Sequence, residues 1–278
     1  MNRESPQRLD AARGDVECML GLSSGRYTRP NGTLWFMVAG AITAAAYWVM
    51  SMDPQQSFSA MMFRCWTNGA VMLFTTWCLL ILVNKFQKTR IQWRALRSAG
   101  LFPRRADWVL SPATAGEVLQ GIRERADRPR DFLLFNRLTM ALANLGNIGE
   151  VRDVGAVLES QADADGSTVD SSYTGIRALI WTIPVLGFIG TVVGLSDAIG
   201  SFQGVLGSEQ AADSIRERLT PVVLGLRTAF ETTLVALVAA VAVQLITTWV
   251  YRGEEDLLDA CTQYCNDNVI SRLRLTDL

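Results

Sequence analysis

Four long runs without a charged residue alternate with arginine-rich segments along this 278-residue chain. The runs are residues 33–52, 65–84, 178–196 and 232–251. Each has about 20 residues, and a helix of that length, rising about 1.5 Å per residue, crosses the hydrocarbon core of a bilayer, which is about 30 Å thick. The pattern predicts an all-α polytopic membrane protein with four transmembrane helices in a lipid bilayer.

The polar segments predict a helical domain between the second and third runs. Residues 130–160 contain two stretches that space apolar side chains three and four residues apart, as amphipathic helices do. Residues 161–172, QADADGSTVDSS, indicate a polar loop, after which Ser171 or Ser172 is expected to cap the next helix. Residues 256–275 predict a second, shorter amphipathic helix.

Lysine and arginine predict the orientation of the chain. They crowd before the first run and after the second, whereas the turn DPQQSFSA between these runs has none. Both termini and the helical domain are therefore expected on the cytoplasmic side. No targeting peptide is expected, because the first run is too long for one and more than thirty residues precede it. The predicted parts are 1–32, N-terminal segment; 33–84, peripheral helices; 85–175, cytoplasmic helical domain; 176–251, inner helix pair; and 252–278, C-terminal helix.

Composition argues against an enzyme. The chain has no histidine, which excludes histidine-based acid–base catalysis and histidine metal ligands, and it has no GxxxxGKS/T phosphate loop. Its formal net charge of −1 gives no reason to expect a nucleic-acid partner. Cys65 and Cys78 lie in a run and are expected to be apolar fillers, while Cys261 and Cys265 lack further metal ligands. We expect no catalytic residue, no metal and no cofactor.

Small residues share one face of each of the last two runs. They are Gly187, Gly190, Thr191, Gly194 and Ala198 on the third run, and Ala229, Thr232, Thr233, Ala236 and Ala240 on the fourth. Such faces let helices approach closely in lipid. Generic packing accounts for the pattern, and so does assembly of identical chains into a ring. Pro184, inside the third run, predicts a bend in that helix.

Hydroxyl and carboxyl groups supply the candidate chemistry. Thr191, Thr232 and Thr233 fall in the same half of the membrane if the two helices are antiparallel. Their hydroxyls either bond back to their own helices or form the polar lining of an ion path. Glu231 and Asp197 are further candidates for the path. The alternatives are a surface pair of Glu231 with Arg227 and a position at the membrane interface for Asp197.

Two stretches resemble a known family. Residues 184–194, PVLGFIGTVVG, are similar to the P-x-L-G-x-x-G-T-V-x-G signature of the MotA/TolQ/ExbB proton-channel family. Residues 226–237, LRTAFETTLVAL, are similar to its A-L-x-x-T-x-x-G-L segment. The resemblance matches Thr191 and Thr233 to the family's threonines, the second of which faces the pore. It also matches Pro184 to the signature proline of MotA-like members.

Two positions depart from the family pattern. Ala236 stands where many members have glycine. Glu231 lies two residues before Thr233, whereas TolQ-like members place a glutamate five residues before that threonine. The four-span layout with a large insert between the second and third spans is more like MotA.

The resemblance implies a subunit of an ion-driven motor or stator complex in the bacterial inner membrane. Members form a homopentamer around a dimer of a single-span partner of the MotB/TolR/ExbD kind, whose membrane aspartate binds the ion. Ion flow then turns the ring against the partner and does mechanical work. The ion, proton or sodium, and the process powered are left open. The alternative is a non-conducting membrane scaffold or sensor that signals through its cytoplasmic helices.

Overall fold

Seven α-helices make up most of the chain in a computed structural model, which describes residues 17, 27–52, 57–102, 108–143, 145, 151–206 and 212–273. Within these ranges, the side chains of 57–58, 112–113, 151–152, 203–206 and 212–218 lie outside the description. The helices are α1 (Gly32–Met52), α2 (Ser57–Phe63), α3 (Trp66–Arg97), α4 (Pro112–Arg125), α5 (Leu133–Ala143), α6 (Val151–Leu206) and α7 (Ala212–Asn268). Short 3₁₀ turns lie at Pro129–Asp131 and Ile270–Arg272, and Leu110 forms an isolated bridge with Leu273.

Four of the helices, α1, α3, α6 and α7, are long and apolar enough to cross a membrane. The predicted fold class, an all-α polytopic membrane protein with four spanning helices, is confirmed. The chain forms two compact units. We call Gly32–Leu82 with Thr174–Thr248 the span unit, and Met1–Asn31, Val83–Tyr173 and Trp249–Leu278 the polar unit. Helices α3, α6 and α7 contribute residues to both.

The predicted loop at residues 161–172 is wrong, because this segment is helical and belongs to α6. Neither predicted cap serves as one: Ser171 Oγ donates to Thr168 O at 3.0 Å, and Ser172 Oγ donates to Val169 O at 2.6 Å. The buried face of α6 continues through the segment at four-residue steps, with Asp165, Val169 and Tyr173 all buried. Asp165 occupies one of these buried positions, so the buried face of the segment could not be recognised from apolar residues alone.

Two further helix boundaries differ from the predictions. Residues 256–268 are the last part of α7 and not a separate helix, since α7 begins at Ala212 and continues without a break. Helix α6 continues beyond the third run, which ends at residue 196, to Leu206. Pro184 lies inside α6 and Pro221 inside α7. The bend at Pro184 stays a prediction.

The polar unit has an apolar core built mainly from α4, α5 and the last part of α7. Phe132, Phe135 and Leu138 of the α5 region are buried with Cys261 and Cys265 of α7. Both thiols thus serve as small apolar groups, since burial of this kind is common for free cysteine.

Buried ion pairs connect the helices of the polar unit. Lys85 Nζ of α3 lies 3.0 Å from Glu254 Oε2 of α7, and the two side chains are 0% and 1% exposed. Thr89 Oγ1 donates to Glu254 Oε1 at 3.3 Å, and Lys85 Nζ lies 4.0 Å from the centroid of the Tyr173 ring on α6. Arg137 Nε donates to Asp165 Oδ2 at 2.6 Å, which explains how α6 buries that aspartate.

Removal of one member of the Lys85–Glu254 pair should destabilise the protein strongly. Glu254→Gln or Lys85→Met leaves one charge buried without its partner, at an expected loss of about 3–5 kcal/mol of unfolding free energy. The double variant Lys85→Met, Glu254→Leu should lose less than the two single variants together. Thermal unfolding in mild detergent measures this, with Glu255→Gln as the control, because Glu255 is the exposed neighbour. Equal stability of Glu254→Gln and wild type would contradict the buried pair.

Candidate functional site

Helices α6 and α7 approach each other so closely in the span unit that several positions have no room for a side chain. A methyl group at Gly194 would lie 2.8 Å from both Ala229 N and Gly225 O. A methyl group at Gly225 would lie 2.8 Å from Gly194 O, and one at Gly187 would lie 2.5 Å from Ala236 Cβ. The small faces predicted on the third and fourth runs therefore pack against each other within one chain.

Helix α3 joins this contact at Gly190. A methyl group there would lie 2.7 Å from Thr67 Oγ1 of α3 and 2.7 Å from Thr232 Oγ1 of α7. Thr232 is 1% exposed, and its hydroxyl donates to Ala229 O at 3.0 Å. The hydroxyl of Thr67 lies 3.1 Å from Cys65 Sγ. Thr232 is thus enclosed between three helices of its own chain.

Thr191 and Thr233 meet across the helix pair, and each keeps part of its surface exposed. Their hydroxyl oxygens are in hydrogen-bond contact. Thr191 Oγ1 lies 3.2 Å from Gly187 O of its own helix and 3.2 Å from Ala229 O of the other. Thr233 Oγ1 lies 3.1 Å from Ala229 O of its own helix and 3.4 Å from Gly187 O. Each hydroxyl therefore reaches the same two carbonyls.

This arrangement shows the self-bonding that was the first interpretation of the sequence and adds a contact between the helices, while the lining of an ion path stays a prediction. Each threonine bonds back to its own helix, as polar side chains in apolar helices often do. Each also contacts the other helix, which a merely self-bonded hydroxyl does not. One of the two hydroxyl protons lies in the contact between the threonines and the other is left for the two carbonyls, while each hydroxyl oxygen retains acceptor capacity for a further donor. We call Thr191 and Thr233 with these two carbonyls the threonine pair.

Glu231 directly precedes Thr232 on α7, and its carboxylate accepts hydrogen bonds from two arginines. Arg227 Nε donates to Glu231 Oε1 at 2.6 Å, and Arg64 Nη1 donates to Glu231 Oε2 at 2.7 Å. The Arg227 contact is the pair that the sequence offered as an alternative. Arg64 was missed, although it carries a signal: it stands next to the second uncharged run, on the side where the charge pattern predicts few positive residues.

Asp197 is exposed on α6, next to the buried Ala198. It makes none of the hydrogen bonds or ion pairs described for the threonine pair and for Glu231. The structure thus brings together Thr191, Thr233 and the glycine contact, and it places Glu231, on the same helix as Thr233, between Arg227 and Arg64. Asp197 does not take part.

A comparison with protein families assigns this region. Residues 127–261 match the MotA/TolQ/ExbB proton channel family. The match covers α5, α6 and most of α7, so both members of the threonine pair lie inside it. The resemblance drawn from the two sequence stretches is confirmed, and the family is one of channels, not of enzymes. Comparisons with curated proteins and with solved structures give no match.

The close approach of α6 and α7 predicts different effects for two glycines of α6. Gly194→Ala places a methyl group against backbone atoms and should lower the unfolding free energy by about 1–3 kcal/mol. Gly200→Ala is the control, since nothing lies within 4 Å of its added methyl group. That variant should be neutral or stabilising by up to about 1 kcal/mol, because alanine favours the helix. Thermal unfolding in detergent compares them, and identical behaviour of the two variants would argue against the contact.

Proposed function

We propose that this chain is a subunit of an ion-driven motor or stator complex in the bacterial inner membrane. It forms a homo-oligomeric ring, by resemblance a pentamer, around a dimer of a single-span MotB/TolR/ExbD-like partner. Flow of protons or sodium ions past the ring is coupled to mechanical work. The threonine pair is the observation that carries the proposal, because it is a partly exposed polar group at the centre of an apolar helix contact within the family match.

The ion-binding carboxylate comes from the partner in this proposal. Among the side chains that the structure describes, the span unit has two carboxylates, Asp197 and Glu231. Glu231 is engaged by two guanidinium groups, and Asp197 stands apart from the threonine pair. A proton relay through the chain itself needs an ionisable group inside the helices. We infer that Thr191 and Thr233 donate to, or hold water beside, a carboxylate of the partner.

The orientation is proposed from charge. The excess of lysine and arginine before the first span and after the second places both termini and the domain at 85–175 in the cytoplasm. The inner helix pair at 176–251 then lines the path, and the helices at 33–84 lie at the periphery.

The ring is proposed from the family resemblance and not from the small-residue faces. Those faces are already used between α6 and α7 of one chain. Large apolar side chains such as Trp181, Phe188 and Val192 of α6, and Phe230 and Leu234 of α7, are exposed instead. They are available to lipid, to neighbouring copies and to the partner.

The threonine hydroxyls should be needed for ion flux. Thr191→Val with Thr233→Val keeps the side-chain shape but removes both hydroxyls, so a carboxylate in a dry passage loses its hydrogen-bond donors. We expect flux into proteoliposomes containing the chain and its co-purified partner to fall at least tenfold. Replacement of both threonines by serine should retain much of the flux.

Thr182→Val is the matched control for this experiment. Thr182 also lies on α6 and donates to the carbonyl four residues earlier, at 2.9 Å from Ala178 O, but no hydroxyl among the described residues of another helix contacts it. Its loss should leave flux near the wild-type value. Normal flux in the double valine variant would return both threonines to ordinary self-bonded helix residues and favour the scaffold alternative.

The complex should contain several copies of the chain for each partner dimer. Native mass spectrometry of the complex purified in mild detergent should give a mass of five chains with two copies of a single-span protein. A chain that stays monomeric or dimeric with its partner would contradict the ring, whatever the outcome of the flux assay.

A further inference from the structure

Glu231 has both carboxylate oxygens occupied by arginine. Oε1 accepts from Arg227 Nε at 2.6 Å, and Oε2 accepts from Arg64 Nη1 at 2.7 Å. Glu231 and Arg64 are largely covered, with side chains 18% and 23% exposed, whereas Arg227 is 54% exposed. Arg227 lies one turn before Glu231 on α7, while Arg64 comes from the segment between α2 and α3. We call these three residues the arginine cluster.

The arginine cluster carries more positive than negative charge. Two guanidinium groups share one carboxylate, which leaves one positive charge uncompensated within the cluster. Glu231 is two residues from Thr233, which is about 3 Å along the helix axis and about 200° around it, so the two side chains lie on different sides of a helix about 10–12 Å wide. The cluster therefore lies within electrostatic range of the threonine pair. A further unit charge about 10 Å away, across the width of the helix, lowers the local concentration of a cation about twofold in bulk water, and about fifteenfold at an effective dielectric constant near 20.

We propose that Glu231 is a positioning residue that limits the positive potential beside the threonine pair, and that Arg64 is the charge it compensates. The proposal rests on the proposed function, since the approach of a cation to Thr191 and Thr233 is what the potential controls. Glu231 does not carry the ion, because both of its oxygens are already engaged. It acts through the arginines: without its carboxylate, both guanidinium charges repel the ion.

A charge-restoring variant separates this role from direct ion binding. Glu231→Gln keeps the size of the side chain but removes the charge, and should lower cation flux about tenfold. Adding Arg64→Gln returns the cluster to its original net charge and should restore flux to within about twofold of wild type. Adding Arg227→Gln instead should restore it likewise. If Glu231 binds the ion, both double variants stay as slow as Glu231→Gln, and the proposal fails.

The salt dependence of the flux defect is a second test of the charge role. The defect of Glu231→Gln should shrink when ionic strength rises from about 0.01 to about 0.15 M, since screening shortens the range of the repulsion from about 30 to about 8 Å. A defect independent of salt, accompanied by a lowered unfolding temperature, would mean that Glu231 only fastens Arg64 to α7. That outcome also overturns the proposal.

Thiol labelling tests the electrostatic potential near Glu231 and requires neither the partner protein nor a measurement of ion flux. Phe230 precedes Glu231 and is 68% exposed, so a cysteine at that position, in the full chain with the five native cysteines replaced, is open to reagents. The measured quantity is the ratio of its reaction rates with a cationic and an anionic methanethiosulfonate. Glu231→Gln should lower this ratio about fivefold, and Arg64→Gln in the same chain should restore it.

The two measurements also separate this inference from the proposed function. Absence of flux in the wild-type complex, with the expected labelling ratios, contradicts conduction but supports the charge role of Glu231. Unchanged labelling ratios in Glu231→Gln contradict the charge role even where the threonine variants lose flux. Flux and labelling that are both restored by Arg64→Gln support the two proposals together.

Discussion

The close approach of the α6 and α7 backbones determines which side chains of the span unit can contact each other. Gly194 and Gly225 face each other with no room for a methyl group on either. Because the helices are this close, hydroxyls on both of them reach the same pair of carbonyls, Gly187 O and Ala229 O. Larger residues at the glycine positions would separate the helices and leave each threonine bonded to its own helix alone. The polar contact thus depends on the apolar one.

Close packing of this kind is the main source of helix association in lipid, where burial of apolar surface gives no advantage over contact with acyl chains. The polar unit is stabilised by other means. Its core combines apolar side chains with the buried pairs Lys85–Glu254 and Arg137–Asp165. Each pair joins two different helices. Because an unpaired buried charge is costly, such pairs favour one register of the helices over others.

The sequence predicted the four spans and both members of the threonine pair, because uncharged runs and a family-like signature are local features. It could not predict the contacts that depend on distant residues. Asp165 made residues 161–172 look like a loop, since its partner Arg137 is 28 residues away in the chain. Arg64 is 167 residues from Glu231. The face of small residues was visible, but a face does not reveal whether the same chain or another copy covers it.

The threonine pair can release one hydroxyl at little cost, which is what an ion path requires of its lining. Gly187 O and Ala229 O already accept the backbone hydrogen bonds of their own helices. If Thr233 turns its hydroxyl towards a partner's carboxylate, neither carbonyl is left without a donor, and Thr191 still reaches both of them. The loss is then one extra hydrogen bond, about 0.5–1.5 kcal/mol, which the new bond to a charged group offsets. Valine offers no such exchange, because it has no hydroxyl to turn towards the carboxylate.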